Sequence, residues 1–152
     1  SGIAFQKDQM KYTLHGVSDT PGIAYSILGP LSDANIEVDV IVQNISVDGK
    51  TDFTFTVSKE DEHATSEVIK QIKNSLEFDD VIVDSQIAKV SLVGVGMRTH
   101  AGIASTAFKA LSENDVNIQM ISTSEIKITI VINESAVTKA VKALHEAFEL
   151  EK

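Results

Sequence analysis

Residues 16–44, GVSDTPGIAYSILGPLSDANIEVDVIVQN, and residues 96–124, GMRTHAGIASTAFKALSENDVNIQMISTS, align without a gap at an offset of 80. Gly16 falls on Gly96, Gly22-Ile23-Ala24 on Gly102-Ile103-Ala104, Leu31-Ser32 on Leu111-Ser112 and Ile41 on Ile121. In a chain of 152 residues this repeat leaves room for two small modules rather than one ordinary domain. Whatever the first copy folds into, the second must fold into as well.

The period of the apolar residues supplies the elements. YTLHGV alternates as a strand and ends at a glycine, and SDTPG follows as a turn in which Asp19 can cap the next helix. GIAYSILGPLSDA places Ile23, Ile27, Leu28 and Leu31 on one helical face, with Pro30 late in it to shorten or bend it. NIEVDVIVQN alternates Ile36, Val38, Val40 and Val42; SVDGK is a hairpin turn with Asp-Gly at its tip; TDFTFTV alternates through Phe53, Phe55 and Val57. SKEDEHATSEVIKQIKNSL opens with a cap and an acidic first turn and gathers Ala64, Val68, Ile69 and Ile72. DDVIVD closes the first copy as βαββαβ.

The second copy reads KVSLVGV strand, AGIASTAFKALSEN helix, NIQMISTS and EIKITIVI strands and SAVTKAVKALHEAF helix, without a fourth strand. A spare strand, GIAFQ, precedes the first copy, separated from it by the polar KDQ. Pairing that strand with the open edge is favoured over leaving both unpaired. The sequence therefore predicts one module over 8–85, inserted in a permuted second module made of 86–152 plus 2–7, with Ile3 and Phe5 buried on the second sheet. DSQIAK is the junction between the copies.

Charge and composition exclude several classes. Asp and Glu outnumber Lys and Arg 22 to 13, a formal charge of -9 with no basic run, which argues against a nucleic-acid surface. Cysteine is absent, so neither disulfides nor thiolate chemistry contribute. The longest apolar runs are strand-length, below the roughly 18–20 residues of a membrane span, and no charged segment precedes an apolar one as in a secretory signal. The expectation is a soluble cytoplasmic domain without a membrane partner.

No catalytic constellation emerges. GVGMRT follows a strand as a dinucleotide fingerprint does, but Thr99 stands where the third glycine belongs and the unit is not βαβ. His15, His63, His100 and His145 are scattered without metal-ligand spacing, His63 and His145 at helix positions expected to be solvated. SKEDE is an acidic helix start rather than an acid–base pair. The repeated strand–turn–helix remains: backbone N–H groups at a helix start bind anions, and Gly22 or Gly102 allows close approach of a ligand. Opposite lie Asp39, Gln43 and Asn44, or Ser122, Thr123, Ser124 and Glu125.

The repeat, the βαββαβ order and the segments VSDTPGIAYSIL, VDVIVQN, KVSLVGVGMRTHAGIAS and NIQMISTSEIKI resemble a tandem of ACT domains, and more narrowly the regulatory region of aspartate kinase. The resemblance runs from Gly2 to about Leu150. It implies an α+β fold of two ferredoxin-like βαββαβ ACT modules, the first inserted in the second. It implies feedback sensing of lysine, threonine or both, without catalysis or metal in this chain, and a homodimer whose ACT modules enclose the effector. The kinase domain or subunit would be the partner, and ATP and Mg would belong to it, leaving no cofactor here. The implied effector contacts are Asp19, Thr20, Gly22, Ile23, Ala24, Asp39, Gln43 and Asn44, closed by Asn117 and Ile118 of a second chain. His100, Gly102, Ile103, Ser124 and Glu125 form the equivalent second-module set, where Thr99 lacks the Asp19 carboxylate. A stand-alone ACT-type sensor serving another enzyme is the alternative. An RNA-binding βαββαβ module would need exposed aromatics among basic residues, which ITIVI and IQMIS lack.

Overall fold

The structure, a computed structural model, describes residues 2–45, 47–94 and 100–148, His100 by its backbone alone. The elements run β1 (Gly2–Ser18), α1 (Ile23–Asp33), β2 (Ile41–Gln43), β3 (Lys50–Ser58), a 3₁₀ turn (Lys59–Asp61), α2 (Glu62–Lys73) and β4 (Asp80–Val93). Then follow α3 (His100–Glu113), β5 (Ile118–Thr123), β6 (Lys127–Asn133), a 3₁₀ turn (Glu134–Ala136) and α4 (Val137–Phe148). The strands are hydrogen-bonded in the order β2-β3-β1-β4-β6-β5. The chain divides into two compact units, Asp8–Ser85 and the pair of segments Ser1–Lys7 and Gln86–Lys152. Each unit is α+β.

Neither KDQ nor DSQIAK interrupts a strand: β1 and β4 run through them and lend different halves to the two units. Ladder bonds are made by the main chain, so a polar stretch does not by itself end a strand. Asp8, where the first unit begins, takes a left-handed conformation with φ 58°.

In the unit Asp8–Ser85 the alternation of β1 buries Met10, Tyr12 and Leu14, and that of β3 buries Phe53, Phe55 and Val57. Tyr12 and Phe55 stack with ring centroids 5.5 Å apart. Ile23, Ile27 and Leu31 of α1 and Val68, Ile69 and Ile72 of α2 close this core, each burial contributing about 1.5–3 kcal/mol. Pro30 lies inside α1, near the end of that short helix. The segment 36–40 departs from expectation. Ile36 and Val40 are buried as the alternation predicts, yet the regular strand starts only at Ile41. Main-chain bonds from Asp39 N–H to Thr56 O (3.1 Å) and Thr56 N–H to Val40 O (3.0 Å) keep the preceding stretch beside β3. At the hairpin tip Asp48 and Gly49 have φ 54° and 75°, and Val47 and Lys50 exchange main-chain bonds of 2.9 and 3.1 Å. Two left-handed residues in a row are the type I′ geometry that Asp-Gly favours.

In the second unit Ala88, Val90 and Leu92 of β4, Ile128, Ile130 and Ile132 of β6, and one face each of α3 and α4 form the core. Ile3 packs against it, but Phe5 is 50% exposed, a correction to the expectation of burial. Alternation assigns a side chain to a face without saying how far the cover over that face extends. His145 of α4 is also only partly exposed, with its Nδ1 buried. Among the described residues no helix is long and apolar enough to cross a membrane.

The repeat is visible in the backbone. Asn35 and Asp115, one offset apart, have φ 59° and 56°. Ile36 N–H bonds Leu31 O (3.0 Å) and Asn35 N–H bonds Ser32 O (2.9 Å). Val116 to Leu111 (2.9 Å) and Asp115 to Ser112 (3.1 Å) repeat the pattern. Both α1 and α3 therefore end in a Schellman motif whose left-handed residue is Asn or Asp.

Candidate effector site

The turn from β1 to α1 is built by main-chain bonds. Asp19 N–H donates to Gly49 O (2.8 Å), which ties the turn to the β2–β3 hairpin, and Ile23 N–H donates to Thr20 O (3.2 Å). Gly22 is the N-cap of α1 at φ 88°, a conformation an L side chain resists. The space where its Cβ would stand is open. Among the described residues no side chain caps α1, so Asp19 does not bond the helix start as the sequence suggests, and the first turn holds no acidic residue. Apart from Ile23, whose N–H is taken by Thr20 O, the N–H groups of the first turn lack intrahelical acceptors, and the turn carries the positive end of the helix dipole.

Asp19 instead faces Gln43, whose Nε2 donates to Asp19 Oδ1 across a long 3.5 Å. Both side chains are exposed, as are Thr20, Asp39 and Asn44. Asp39, Ile41 and Gln43 alternate on the exposed side while Val40 points inward. The carboxylate of Asp19 and the carboxamide of Gln43 thus stand beside an uncapped helix start. The first can accept from an ammonium, the second can accept or donate, and the helix start can receive a carboxylate. The Ile23 side chain is in the core and Ala24 packs against it, which leaves these two residues their main chain to offer a ligand.

In the second unit Gly102 lies exposed in the first turn of α3, and Ile103 is in the core. Ser124 N–H donates to Lys127 O (2.8 Å) in the β5–β6 hairpin, with Glu125 exposed beside it. Gly96 and Thr99, and with them the comparison of Thr99 with Asp19, lie outside the described residues, as does the His100 side chain. Asn117 and Ile118 line a shallow cleft of this unit with Phe108, Ser112, Asp115 and Val116.

Sequence reasoning missed a cluster just behind the first turn. Leu14 pairs with Phe53 and Val17 with Thr51, so β1 carries one extra residue at His15–Gly16, a β-bulge opposite Asp52. Asp52 Oδ1 lies 2.7 Å from His15 Nδ1 and accepts from Gly16 N–H at 3.2 Å. Asp79 N–H donates to His15 O (2.7 Å), and the Asp79 carboxylate sits 3.6 Å from Lys50 Nζ. Gly16 has φ 72°, and a Cβ there would run into the Asp79 side chain. The only sequence signal was the glycine ending the strand; the extra residue shows only once β3 is known to be the partner. Among the described residues no group of three or more His, Asp or Glu is placed to hold a metal ion.

Two segments match ACT domain families, residues 13–77 and residues 90–148. The chain is 56% identical over 151 residues to an aspartate kinase of Pseudomonas fluorescens (strain SBW25) and 47% identical to the aspartokinase of Helicobacter pylori (strain 26695). In both cases 99% of this chain is aligned, and it spans 37% of the relative's length. A crystal structure of aspartokinase alpha and beta subunits superposes with a TM-score of 0.89 at 47% identity, covering 98% of each chain. The ligand-free regulatory subunit of aspartate kinase from Thermus thermophilus superposes with a TM-score of 0.90 at 32% identity, covering 97% of each.

Proposed function

Because the chain belongs to the aspartate kinase family as its tandem-ACT regulatory region, we propose that it senses lysine, threonine or both and carries no catalytic activity of its own. The observation that carries this reading is the Asp19–Gln43 pair standing beside an α1 start that has neither a side-chain cap nor an acidic first turn. A free amino acid has the matching charges: its ammonium meets the Asp19 carboxylate and its carboxylate meets the helix N–H groups. Asp39 and Asn44 extend the acceptor side, and Gln43 can read either a hydroxyl or an amine, so the geometry suits both effectors. Asn117 and Ile118 of a second copy would close the site, in a homodimer that buries the effector. The equivalent second-module set, His100, Gly102, Ile103, Ser124 and Glu125, offers a second site. The output would be a shift between subunit arrangements read by a kinase domain or subunit, which would hold ATP and Mg.

Calorimetric titration with lysine and threonine, separately and together, tests the reading. Binding of at least one is expected, and Asp19→Ala should weaken it by about 1.5–3 kcal/mol, the contribution of a hydrogen bond to a charged group. A chain that takes up neither amino acid, or an Asp19→Ala variant that binds like wild type, would refute it.

A further inference from the structure

We infer that Asp52 is a positioning residue for the proposed effector site, holding both of its halves in place without belonging to it. The inference rests on the effector reading above.

Between Leu14 and Val17 the chain of β1 advances three residues while β3 advances two, from Phe53 to Thr51. Side chains alternate with period two, so removing the extra residue would turn every later side chain of β1 to the other face. Val17, fully buried, would be driven outward, and Ser18 would lose its pairing with Lys50. The bond from Asp19 N–H to Gly49 O depends on the same register. Where the Asp19 carboxylate stands is therefore decided at the bulge.

A bulge leaves main-chain groups without ladder partners, and here side chains and a crossing segment supply them. One carboxylate oxygen of Asp52 takes both the Gly16 N–H and the His15 ring nitrogen. The His15 carbonyl is taken from the other side by Asp79 N–H. Asp52 also reaches the opposite half of the site through its main chain, because Asn44 N–H donates to Asp52 O at 3.1 Å, directly after Gln43. One residue thus ties the strand leading to Asp19 and the strand carrying Gln43. Its carboxylate serves the first tie and its carbonyl the second, so a side-chain substitution cuts the first alone.

The test compares wild type, Asp52→Ala and Asp52→Asn. Effector affinity is measured by calorimetry, amide hydrogen exchange at Gly16 and Asp19 by NMR, and stability by thermal melting. Asp52→Ala should weaken effector binding on the order of tenfold, as expected for a lost charge-assisted hydrogen bond, and speed exchange at both amides. Asp52→Asn keeps an acceptor oxygen and should recover most of the affinity and protection. That rescue separates the lost hydrogen bond from the lost charge, since both variants remove the charge, and the melting midpoints separate positioning from a general loss of stability. Unchanged affinity in Asp52→Ala would overturn the inference, as would an Asn variant that binds as weakly as the Ala variant while Gly16 stays protected. Wild-type protein that binds neither lysine nor threonine would overturn the effector reading, and this inference with it. Wild-type binding with an indifferent Asp52→Ala overturns this inference alone.

Discussion

Tyr12 sits in the middle of β1 with its ring stacked on Phe55 and almost no exposed surface, so its phenol titrates from inside the core. Burial pushes its pKa above the ordinary 10.0; the Glu62 carboxylate adds to the rise, and a hydrogen bond with Ser66 opposes it. The raised value belongs to the folded state, so above pH 10.0 the unfolded chain loses this proton first. The neutral phenol's contribution to stability is complete below that pH and is lost as pH climbs through the folded value. Unfolding titrations in denaturant should therefore show wild type losing stability above pH 10 more steeply than Tyr12→Phe. Parallel curves for the two proteins would mean that Tyr12 does not govern the alkaline limb.

Among the elements, the first half of β1 carries the sharpest test of how the chain is arranged. Residues 2–7 lie upstream of the whole first unit, yet they cluster with the second, and Ile3 packs on its core. Deleting 2–7 should leave part of β4 without its neighbour and uncover apolar surface. Because Phe5 is half exposed, the expected loss is that of one partly buried aliphatic and a stretch of ladder, about 1–3 kcal/mol. It should appear as a lower melting temperature for the truncated protein. An unchanged midpoint would show that this segment contributes nothing to the second unit.

At the scale of the whole molecule, a ligand enclosed between two copies makes binding and assembly one equilibrium. If the effector touches both chains, it must strengthen dimerisation by the factor by which dimerisation strengthens its own binding. Sedimentation at low micromolar protein should therefore show the population moving toward dimer when threonine or lysine is added. A protein that binds its effector with full affinity while remaining monomeric would eliminate the two-chain site and leave a pocket within one copy.

The repeat, the order of elements and most of the core were legible in the sequence because each rests on patterns a few residues long. Alternation marks Phe53, Phe55 and Val57, a helical period marks Ile23, Ile27 and Leu31, and Asp48-Gly49 dictates its own turn. The candidate site was legible as far as its residue types: a glycine-led helix start, an aspartate before it and polar groups ending the next strand. Their relation to one another was not. That Asp19 meets Gln43 instead of capping α1 follows from the tie to Gly49 O. That His15–Gly16 forms a bulge follows from its pairing with β3, across 36 residues of sequence between Gly16 and Asp52. No local pattern records an extra residue in a ladder, since extended backbone looks alike until its partner is in register. The tertiary structure alone decided where the Asp19 carboxylate stands, because that position is set by bonds between strands rather than along one.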